Sequence, residues 1–598
     1  MRNAETIQGL IHERGKKGLP LERVYKLLFN QELYLTAYGK IYRNKGAMTP
    51  GVTKETPDGM SLDKIDTIIE AIRNEKYRWN PARRTYIPKK TGKVRPLGMP
   101  TWSDKLIQEV IRLILEAYYE PQFSNNSHGF RPERGCHTAL QDIHYTWLGT
   151  TWFIEGDISQ CFDALDHNLL LSILKEKIDD GRFIKLVSGL LEAGYLEDWK
   201  FNKTLSGTPQ GGILSPLLSN IYLDKLDQFV ETVLIPNYTK GAKKRMSPDY
   251  ERVKGHYRRL LKKGKIKEAQ EVKQQLHNMP SIDPKDPNYR RLKYVRYADD
   301  FLLGFVGSKE EAEDIKQQLE KYLRDELKLE LSKSKTLITN ARSEAARFLG
   351  YEIKTLQEDS KRVTYQTNRG KITRRGINGG IALIVPRDII EEKCNRYKKD
   401  GKAIHRKELT NDTDHTIVST YQLEYRGIVN YYQMAQNIGA LSKLKWTMEI
   451  SLTKTLAHKH RMSVNKVYRK YGTTHDVEGK AYKGLIVITP REGKEPIVAK
   501  WGGIPLIRNP KAILEDKDRS NWWGTSELIQ RLLMDTCELC GNKENIQVHH
   551  IRALKDLNEY TGREKPLWVQ KMATRQRKTL ILCRTCHEDV HAGRPMTR

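Results

Sequence analysis

The stretch YVRYADDFLLGF, residues 294–305, places two adjacent carboxylates, Asp299 and Asp300, between two runs of aromatic and aliphatic residues. Both runs have the composition of β-strands, and aspartate is common in tight turns. The stretch therefore predicts a β-hairpin. Either the two acids are turn residues only, or the turn presents them to a pair of divalent metal ions. The hairpin by itself favours the first interpretation, so the rest of the chain has to decide.

Length and charge narrow the class of protein. At 598 residues the chain exceeds a single hydrophobic core, since domains average about 100 to 200 residues. It carries 104 Lys plus Arg against 74 Asp plus Glu, a formal net charge of +30. Such a charge favours nucleic acid as the partner, because each neutralised phosphate releases counterions. The alternative is a basic surface that serves solubility alone.

Neither a membrane span nor a signal peptide is indicated. The sequence has no run of 18 apolar residues, and residues 1–18 mix acids with bases, which differs from both kinds of segment. We therefore expect an intracellular protein with no membrane partner. Four of its seven cysteines form two C-x2-C pairs, at residues 537–540 and 583–586. This spacing is typical of metal ligation rather than of disulfides.

The pattern along the chain predicts an α+β multidomain protein. Residues 1–80 have largely helical character, and residues 84–100 predict a strand-turn-strand unit followed by short strands alternating with helices up to residue 353. Residues 240–270 hold 12 Lys plus Arg and three acids. This segment predicts a polar, partly helical insertion. It is either a solvated helical face or an arm that contacts RNA.

Beyond residue 380 the periodicity becomes helical. Apolar residues are spaced for one helix face, and basic residues surround them. The apolar set is Leu441, Leu444, Met448, Leu452 and Leu456, and the basic set is Lys443, Lys445, Lys454, Lys459 and Arg461. The apolar stripe predicts core, whereas the cationic remainder would suit a nucleic-acid duplex. Residues 476–530 are punctuated by Gly and Pro and give no clear structural prediction.

A further acid lies upstream, in FIEGDISQCFDALDH at residues 153–167, where Asp157 ends another β-type run. Nucleotidyl transfer needs two metal ions held by carboxylates from different strands. Asp157 and Asp299 would bridge both ions, and Asp300 would be an outer ligand. The glycine-rich stretch SGTPQGGILSPLLSN, residues 206–220, lies between these acids and predicts a loop followed by a helix from about Leu214. The order of these three elements favours the metal-binding interpretation.

The blocks SHGFRPERGCHTAL, GDISQCFD, TPQGGILSPLLSN, YADD and RFLGYEI occur in the order found in reverse transcriptases. More narrowly, the chain resembles the reverse transcriptase/maturases encoded within group II introns. The resemblance covers nearly the whole chain, including RNKGAMTPGVT and the thumb-like YRGIVNYYQMAQN. It implies a right-hand polymerase with fingers and a palm containing an antiparallel sheet, a helical thumb or maturase domain, and a C-terminal ββα-metal HNH domain with a four-cysteine zinc site.

The resemblance also implies boundaries for these units. The expected units are an N-terminal extension with the start of the fingers (1–80), fingers and palm (81–365) with a basic insertion (235–290), the thumb or maturase domain (366–475), a DNA-binding region (476–530) and the HNH endonuclease domain (531–598).

Roles for individual residues follow from the same resemblance. Asp157, Asp299 and Asp300 match the catalytic triad that binds two Mg²⁺ ions, and Phe162 matches the aromatic position that blocks a 2′-hydroxyl. Lys89 and Arg95 match the finger residues that hold the incoming triphosphate, since both side chains suit phosphate. Gln210 matches a contact to template and nucleotide, and Lys335 is a candidate general acid for pyrophosphate release.

The C-terminal segment reads CELCGNKENIQVHHI from residue 537 and CRTCHEDVH from residue 583. The four thiolates of Cys537, Cys540, Cys583 and Cys586 can close a tetrahedral Zn²⁺ site in a unit too small to build much core. A structural zinc ribbon would account for these cysteines but not for the histidines around them. Two of those histidines, His587 and His591, stand one helical turn apart and so share a face.

This segment resembles an HNH nuclease. The resemblance implies that His549, His587 and His591 ligate one divalent ion and that His550 is the base that activates water. Lys578 stands where many family members carry an asparagine. The contact that would orient His550 is therefore in question, whereas the metal site is unaffected.

The expected function is that of an intron-encoded ribonucleoprotein enzyme. It would bind its own group II intron RNA, assist splicing, nick target DNA and extend the new 3′ end with dNTPs, which is retrohoming by target-primed reverse transcription. The alternatives are an RNA-binding maturase without polymerase activity and a reverse transcriptase of a retron or a diversity-generating element. The expected location is the bacterial cytoplasm, with an organelle as the alternative. The sequence leaves open whether the protein acts as a monomer or a dimer.

Overall fold

The computed structural model describes residues 3–44, 46–88, 92, 94–197, 200–202, 211–283, 286–367, 370–374, 376–491, 493–514, 527–560, 565–575 and 577–594. Buried apolar residues form two large clusters. One joins the N-terminal region, the fingers, part of the palm and the C-terminal unit. The other joins the rest of the palm to the thumb. None of the helices in the described part of the chain is long and apolar enough to cross a membrane.

The N-terminal region is largely helical, which confirms the prediction. Its elements are α1 (Ala4–Lys16), β1 (Leu21–Glu22), a 3-10 helix (Val24–Phe29), α2 (Gln31–Ile41) and α3 (Leu62–Arg73). Ser61 caps α3 by accepting a hydrogen bond from the Lys64 amide at 3.1 Å, which satisfies one of the free amides of the first turn. Isoleucines spaced along one face of α3 are buried: Ile65, Ile68, Ile69 and Ile72.

The next region alternates short strands with helices, as predicted. Its elements are β2 (Ala82–Pro88), β3 (Val94–Met99), α4 (Trp102–Tyr119), α5 (Cys136–Thr146), β4 (Trp152–Asp157), α6 (Cys161–Ala164), α7 (His167–Lys175), β5 (Ile178–Asp179), α8 (Gly181–Glu192), β6 (Tyr195–Glu197), β7 (Lys200–Asn202), α9 (Ser215–Phe229), a π-helical turn (Val230–Leu234) and α10 (Ile235–Asn237). β2 and β3 pair as an antiparallel hairpin inside the sheet β3-β2-β6-β7. The predicted strand-turn-strand unit is therefore confirmed.

The basic insertion is a pair of helices, α11 (Pro248–Lys262) and α12 (Ile266–Asn278). Their buried residues are Leu260, Ala269 and Leu276, so the pair is mostly solvated. An antiparallel bridge between Lys240 and Arg290 closes its base. The prediction of a polar, partly helical insertion is confirmed, and its contact with RNA stays a prediction.

An antiparallel sheet follows the insertion. Its region contains β8 (Arg291–Tyr297), β9 (Asp300–Val306), α13 (Lys309–Asp325) and β10 (Ile338–Asn340). The strand order is β10-β4-β9-β8, and every pair is antiparallel. We call it the palm sheet. Residues 301–306 of β9 are buried in succession, because β9 is an inner strand covered on both faces, and such strands are apolar throughout.

The region that follows the palm sheet begins with short strands, the first of which lie before the expected palm boundary at residue 365, and it continues as the helices of the expected thumb. Its elements are β11 (Ala346–Phe348), β12 (Tyr351–Thr355), β13 (Val363–Thr367), β14 (Gly370–Arg374), β15 (Ile381–Ile384), α14 (Arg387–Asn395), β16 (Lys398–Lys399), β17 (Lys402–Ala403), a 3-10 helix (Lys407–Leu409), α15 (Asp414–Tyr431), a 3-10 helix (Ile438–Leu441), α16 (Ser442–Lys459) and α17 (Val464–Tyr471). The predicted apolar stripe of α16 is buried. Three of the surrounding cations are already partnered, because Lys459 binds Asp414, Lys454 donates to the Ala403 carbonyl and Lys443 lies 3.7 Å from Glu391.

A three-stranded sheet follows α17 and consists of β18 (Gly472–Val477), β19 (Lys480–Arg491) and β20 (Lys494–Trp501). It packs on α15. Trp501 is fully buried, and the Gln422 side chain makes two hydrogen bonds of 3.0 Å with the backbone of Gly502. The sheet thus shares its core with the thumb helices. The boundary at residue 476 stays a prediction.

The C-terminal unit is a hairpin followed by a helix. It contains α18 (Glu527–Leu533), β21 (Ile546–His550), a 3-10 helix (Leu554–Glu559), α19 (Leu567–Arg575), β22 (Thr579–Cys583) and α20 (Arg584–Ala592). β21 and β22 pair antiparallel over their full length. The predicted ββα order is confirmed, and the unit's core is continuous with that of the N-terminal helices.

Candidate functional site

Three carboxylates lie at one end of the palm sheet. Asp157 ends β4, Asp300 begins β9, and the two are directly paired in register. Asp299 occupies the two-residue turn between β8 and β9 together with Ala298, whose φ of 57° is left-handed. The hairpin predicted from the opening stretch is therefore confirmed. Its turn also brings Asp299 next to the end of β4, since the Ile158 amide donates to the Asp299 carbonyl at 3.3 Å.

Two glycines permit the close packing around this turn. A Cβ on Gly156 would lie 2.1 Å from the ring of Phe301, and one on Gly129 would lie 2.4 Å from the amide nitrogen of Ala298. Both distances are far shorter than van der Waals contact, so a side chain at either position would displace the turn or the strand. The glycines thus fix the positions of the neighbouring acids.

A buried arginine, Arg296, holds the turn of Ala298 and Asp299 in place. The Arg296 and Asp227 side chains are fully buried, and the guanidinium donates to the two Asp227 carboxylate oxygens at 2.8 and 2.5 Å. It also donates to the carbonyl of Ala298 at 2.9 Å and to the side chains of Asn220 and Ser127. α9 and the turn of Ala298 and Asp299 are thereby joined through one planar group. Sequence reasoning missed this network, although an arginine at an inward position of an apolar strand is a signal for a buried partner.

We expect Arg296→Met to destabilise the palm sheet. The substitution leaves the buried Asp227 carboxylate without its partner, which costs about 3–5 kcal/mol. That cost corresponds to about 10²- to 10⁴-fold faster hydrogen exchange of the β8 and β9 amides. Arg291→Met on the same strand is the matched control, because Arg291 is only partly buried and has no ion pair among the described residues. Equal exchange protection in the two variants would contradict the anchoring role.

The three neighbouring carboxylates of the palm site favour the binding of cations. Burial, with the neighbouring Asp299 and Asp157 carboxylates, raises the pKa of Asp300 to about 7. Burial also raises the pKa of Asp299, although the positive charges of Arg95 and Lys335 oppose the shift. Nζ of Lys335 donates to both oxygens of Asp157, at 2.9 and 3.0 Å. Carboxylate oxygens are the ligands that Mg²⁺ prefers, so these residues fit divalent ions.

The predicted nucleotide contacts are partly described. Phe162 lies on α6, directly after β4, and its ring makes an edge contact with Phe130 at a centroid distance of 6.2 Å. Arg95 lies on β3, and its charge acts on Asp299, so the fingers hairpin and the palm turn are electrostatic neighbours. Lys89 and Gln210 lie outside the described residues.

A second site lies in the C-terminal unit, where three histidines converge on an acid of the N-terminal region. His549 is on β21, and His587 and His591 are one turn apart on α20. Nε2 of His591 lies 2.8 Å from Oδ2 of Asp58, and Nε2 of His587 lies 3.2 Å from Oδ1. Nδ1 of His549 lies 3.4 Å from the same Oδ1, an ion-pair contact without hydrogen-bond geometry. The structure thus brings the three predicted ligands together and adds Asp58.

The surroundings of His549 fit a metal ligand. The residue is 4% exposed, and neither ring nitrogen makes a hydrogen bond with a described residue. A buried polar atom without a partner is costly. One ligand atom each from His549, His587, His591 and Asp58 can be chosen so that all lie within 4.8 Å of one another. A divalent ion between them would satisfy the imidazole of His549.

His550, the predicted base, faces away from this cluster. Its Nε2 is 2.7 Å from the hydroxyl of Tyr38, and its ring also makes an edge contact with Tyr42. Burial lowers the pKa of His550 to about 4, so the imidazole is neutral at pH 7, as a general base requires. The side chain is nevertheless covered by α2 in this arrangement.

The four cysteines form a separate cluster. Cys537 and Cys540 precede β21, Cys583 ends β22, and Cys586 lies in the first turn of α20. Their sulfur atoms lie within 4.8 Å of one another, and the Cys540 and Cys583 sulfurs are 3.6 Å apart. Zn–S bonds of about 2.3 Å in a tetrahedral site place sulfurs about 3.8 Å apart. The cluster therefore fits Zn²⁺.

Sequence reasoning missed Asp58 and Tyr38 as parts of the second site. Both are close to the histidines in space but about 500 residues away along the chain. The only local signal is the turn TPDGM at residues 56–60, where an aspartate is common for structural reasons.

Three protein-family models match the chain in succession. Residues 87–353 match "Reverse transcriptase (RNA-dependent DNA polymerase)", residues 381–490 match "Type II intron maturase", and residues 537–587 match "AI2M/AI1M-like, HNH endonuclease". The palm carboxylates fall within the first match. The cysteine cluster and the three clustered histidines lie in or next to the third.

Full-length relatives give the same order. "Group II intron-encoded protein LtrA" of Lactococcus lactis subsp. cremoris is 38% identical over 590 residues, which cover 95% of each chain. "Uncharacterized 91 kDa protein in cob intron" of Schizosaccharomyces pombe is 34% identical over 96% of this chain and 70% of its own. "Putative COX1/OXI3 intron 1 protein" of Saccharomyces cerevisiae is 32% identical over 95% of this chain and 69% of its own.

Proposed function

We infer the function from the family, because the chain belongs to the group II intron-encoded reverse transcriptase/maturases with an HNH endonuclease-like domain. We propose that it copies intron RNA into DNA at the palm carboxylates and cleaves DNA at the histidine cluster. The direct pairing of Asp157 with Asp300, beside Asp299, carries this proposal. The two activities are complementary, since a nick in DNA supplies the 3′-hydroxyl that the polymerase site extends. Target-primed reverse transcription is therefore the reaction sequence we assign.

In the palm site, Asp157 and Asp299 would hold two Mg²⁺ ions, and Asp300 would support them. The bound ions would lower the pKa of the attacking 3′-hydroxyl and stabilise charge on the pyrophosphate. Lys335 lies against Asp157. The hydrogen bond with Asp157 raises the pKa of the Lys335 ammonium. The group is therefore protonated and can give a proton to the leaving pyrophosphate.

The residues around the carboxylates select and hold the nucleotide. The ring of Phe162 follows the Asp157 strand directly, where it would exclude a 2′-hydroxyl and favour dNTPs. Arg95 and Lys89 would bind the triphosphate, because guanidinium and ammonium groups donate several hydrogen bonds to phosphate oxygens. Gln210 would contact the template and the incoming nucleotide.

In the C-terminal unit, His549, His587 and His591 would hold one divalent ion. The bound ion would stabilise the charge that develops on the cleaved phosphodiester. His550 is the neutral base that takes a proton from the attacking water. Lys578, exposed just before β22, stands where the resemblance places an orienting asparagine, so another group must orient His550.

Zn²⁺ in the cysteine cluster would hold the hairpin and α20 together. Cys583 ends β22 and Cys586 lies in the first turn of α20, whereas Cys537 and Cys540 come from the loop before β21. One ion thus cross-links three parts of the unit, and structural Zn²⁺ ions contribute folding free energy directly.

Intron RNA would bind to the basic insertion and the thumb. On α11 and just after it, Arg258, Arg259, Lys262 and Lys263 are exposed and make no ion pair with a described residue. On the thumb, Trp446 is 64% exposed on α16, where an aromatic face can stack on a base. Free cations on a solvated helix pair suit the phosphates of a structured RNA.

We expect the double substitution Arg258→Gln and Arg259→Gln to weaken binding of the intron RNA and to flatten its salt dependence. The slope of log K against log salt concentration is negative, and each lost phosphate contact reduces its magnitude by about 0.7 to 0.9. The control, Lys185→Gln with Lys321→Gln, removes the same charge from α8 and α13. Filter binding of labelled RNA at several salt concentrations measures both slopes. Identical slopes would identify the insertion as a solvated face.

The experiment that tests the proposal supplies intron RNA with an annealed DNA primer and dNTPs. Extension of the primer by the purified chain is the expected result. RNA binding and splicing assistance without extension would instead indicate a maturase that lacks polymerase activity.

A further inference from the structure

A loop of the N-terminal region docks onto the nuclease hairpin. We call residues 55–61 the docking loop. Its Met60 forms an antiparallel bridge with Val548 of β21, in which the Gly59 amide donates to the Val548 carbonyl at 3.0 Å and the Val548 amide donates to the Met60 carbonyl at 2.8 Å. Gly59 has a φ of +75°, and a Cβ there would lie 3.9 Å from Cε1 of His587. Backbone hydrogen bonds therefore hold the loop directly against the histidines.

The Asp58 carboxylate is fixed in this position. Its Oδ1 accepts a hydrogen bond from the backbone amide of His550 at 2.7 Å, and the side chain is 17% exposed. The carboxylate is thus oriented toward the histidines, and both ring nitrogens of the buried His549 beside it lack a hydrogen bond with a described residue.

We propose that Asp58 is the fourth protein ligand of the nuclease metal ion and that it closes this site against the water and DNA that cleavage requires. The inference rests on the proposed nuclease function. Four protein ligands close a metal site, whereas catalytic sites keep one position open. Three imidazoles with one carboxylate suit Zn²⁺ better than Mg²⁺, and the carboxylate also suits Mn²⁺. Because the docking loop belongs to the N-terminal region, its withdrawal opens the site.

The environment of His550 supports the closed state independently. Its ring is covered by Tyr38 of α2 and by Tyr42, the residue directly after α2, and the residue is 6% exposed. The proposed base and the proposed ion are thus both covered by the N-terminal region. Movement of that region away from the hairpin would expose the two together.

The test measures binding of Mn²⁺ to the full chain after one equivalent of Zn²⁺ has filled the cysteine cluster. Electron paramagnetic resonance detects the Mn²⁺ that stays free in solution. All proteins carry Asp157→Asn and Asp299→Asn, so that the two acids proposed to hold the palm ions do not contribute. Asp58→Asn keeps an acceptor for the His550 amide but removes the anionic ligand. We expect its Mn²⁺ affinity to fall at least about tenfold. Asp63→Asn, an exposed acid at the start of α3, is the matched control and keeps the full affinity.

Two further measurements separate the possible outcomes. At saturating Mn²⁺, Asp58→Asn should nick DNA faster than Asp63→Asn, because the open position is restored; slower nicking would overturn the closed state. Unchanged Mn²⁺ affinity in Asp58→Asn would overturn the assignment of the ligand. His587→Ala should lose the tight ion altogether. If it keeps the ion, the proposed nuclease site itself fails, whereas loss in His587→Ala with retention in Asp58→Asn refutes only the role of Asp58.

Discussion

Asp300→Asn is expected to reduce primer extension on an RNA template by about a thousandfold or more, equivalent to about 4 kcal/mol of lost transition-state stabilisation. The amide cannot supply the negative charge that two divalent ions need at the end of β9. Binding of intron RNA and assistance of splicing should stay near wild type, because the basic insertion and the thumb lie outside the palm site. Single-turnover extension, run beside RNA binding and splicing, measures all three.

The same substitution should leave the fold intact or make it slightly more stable. Asp300 is one of three crowded carboxylates, and repulsion from Asp299 and Asp157 contributes to its raised pKa. A neutral amide of the same shape relieves this repulsion, so we expect a melting temperature in EDTA no lower than that of wild type. Asp325→Asn, at the exposed end of α13, should change neither property. Wild-type extension by Asp300→Asn would refute the palm assignment.

Features encoded by neighbouring residues could be predicted from the sequence. The hairpin around Asp299, the helix after residue 214 and the apolar stripe of α16 depend on turn chemistry or on a local period of apolar residues. The structure confirms each of them. The roles of Lys335, Phe162 and Arg95 came from the family resemblance, and they stay predictions.

Features that join distant parts of the chain could not be predicted in this way. Asp227 is 69 residues from Arg296, and Asp58 is 492 residues from His550. No local sequence pattern indicates that such residues pair, because either partner alone is compatible with a solvated surface. The sheet β18-β19-β20 was not predicted for another reason. Its buried apolar residues alternate, but only two of them fall on each of two strands, Leu485 and Val487 on β19 and Ala499 and Trp501 on β20, which is too short a pattern to indicate a strand.

His550→Ala is expected to slow nicking of target DNA by about 10²- to 10⁴-fold, the usual contribution of a general base. The side chain provides none of the clustered ligands, so the nuclease ion and Zn²⁺ should both be retained. Its backbone amide, which donates to Asp58, is unaffected. Primer extension should stay at the wild-type level because the palm carboxylates lie on other strands. Strand-specific cleavage of a labelled DNA target by the ribonucleoprotein, with extension in parallel, gives both rates.

Tyr38→Phe separates loss of the base from loss of packing. His550→Ala also leaves the buried hydroxyl of Tyr38 without its partner, a cost of about 1–3 kcal/mol, whereas Tyr38→Phe removes the same hydrogen bond and keeps the imidazole. We expect Tyr38→Phe to nick at least as fast as wild type, since His550 is then free to move toward water. Cys583→Ala should behave differently from both, releasing Zn²⁺ and unfolding the hairpin. If His550→Ala nicks at the wild-type rate, or Tyr38→Phe loses as much activity as His550→Ala, the histidine is a packing residue and the C-terminal unit is a DNA-binding zinc ribbon.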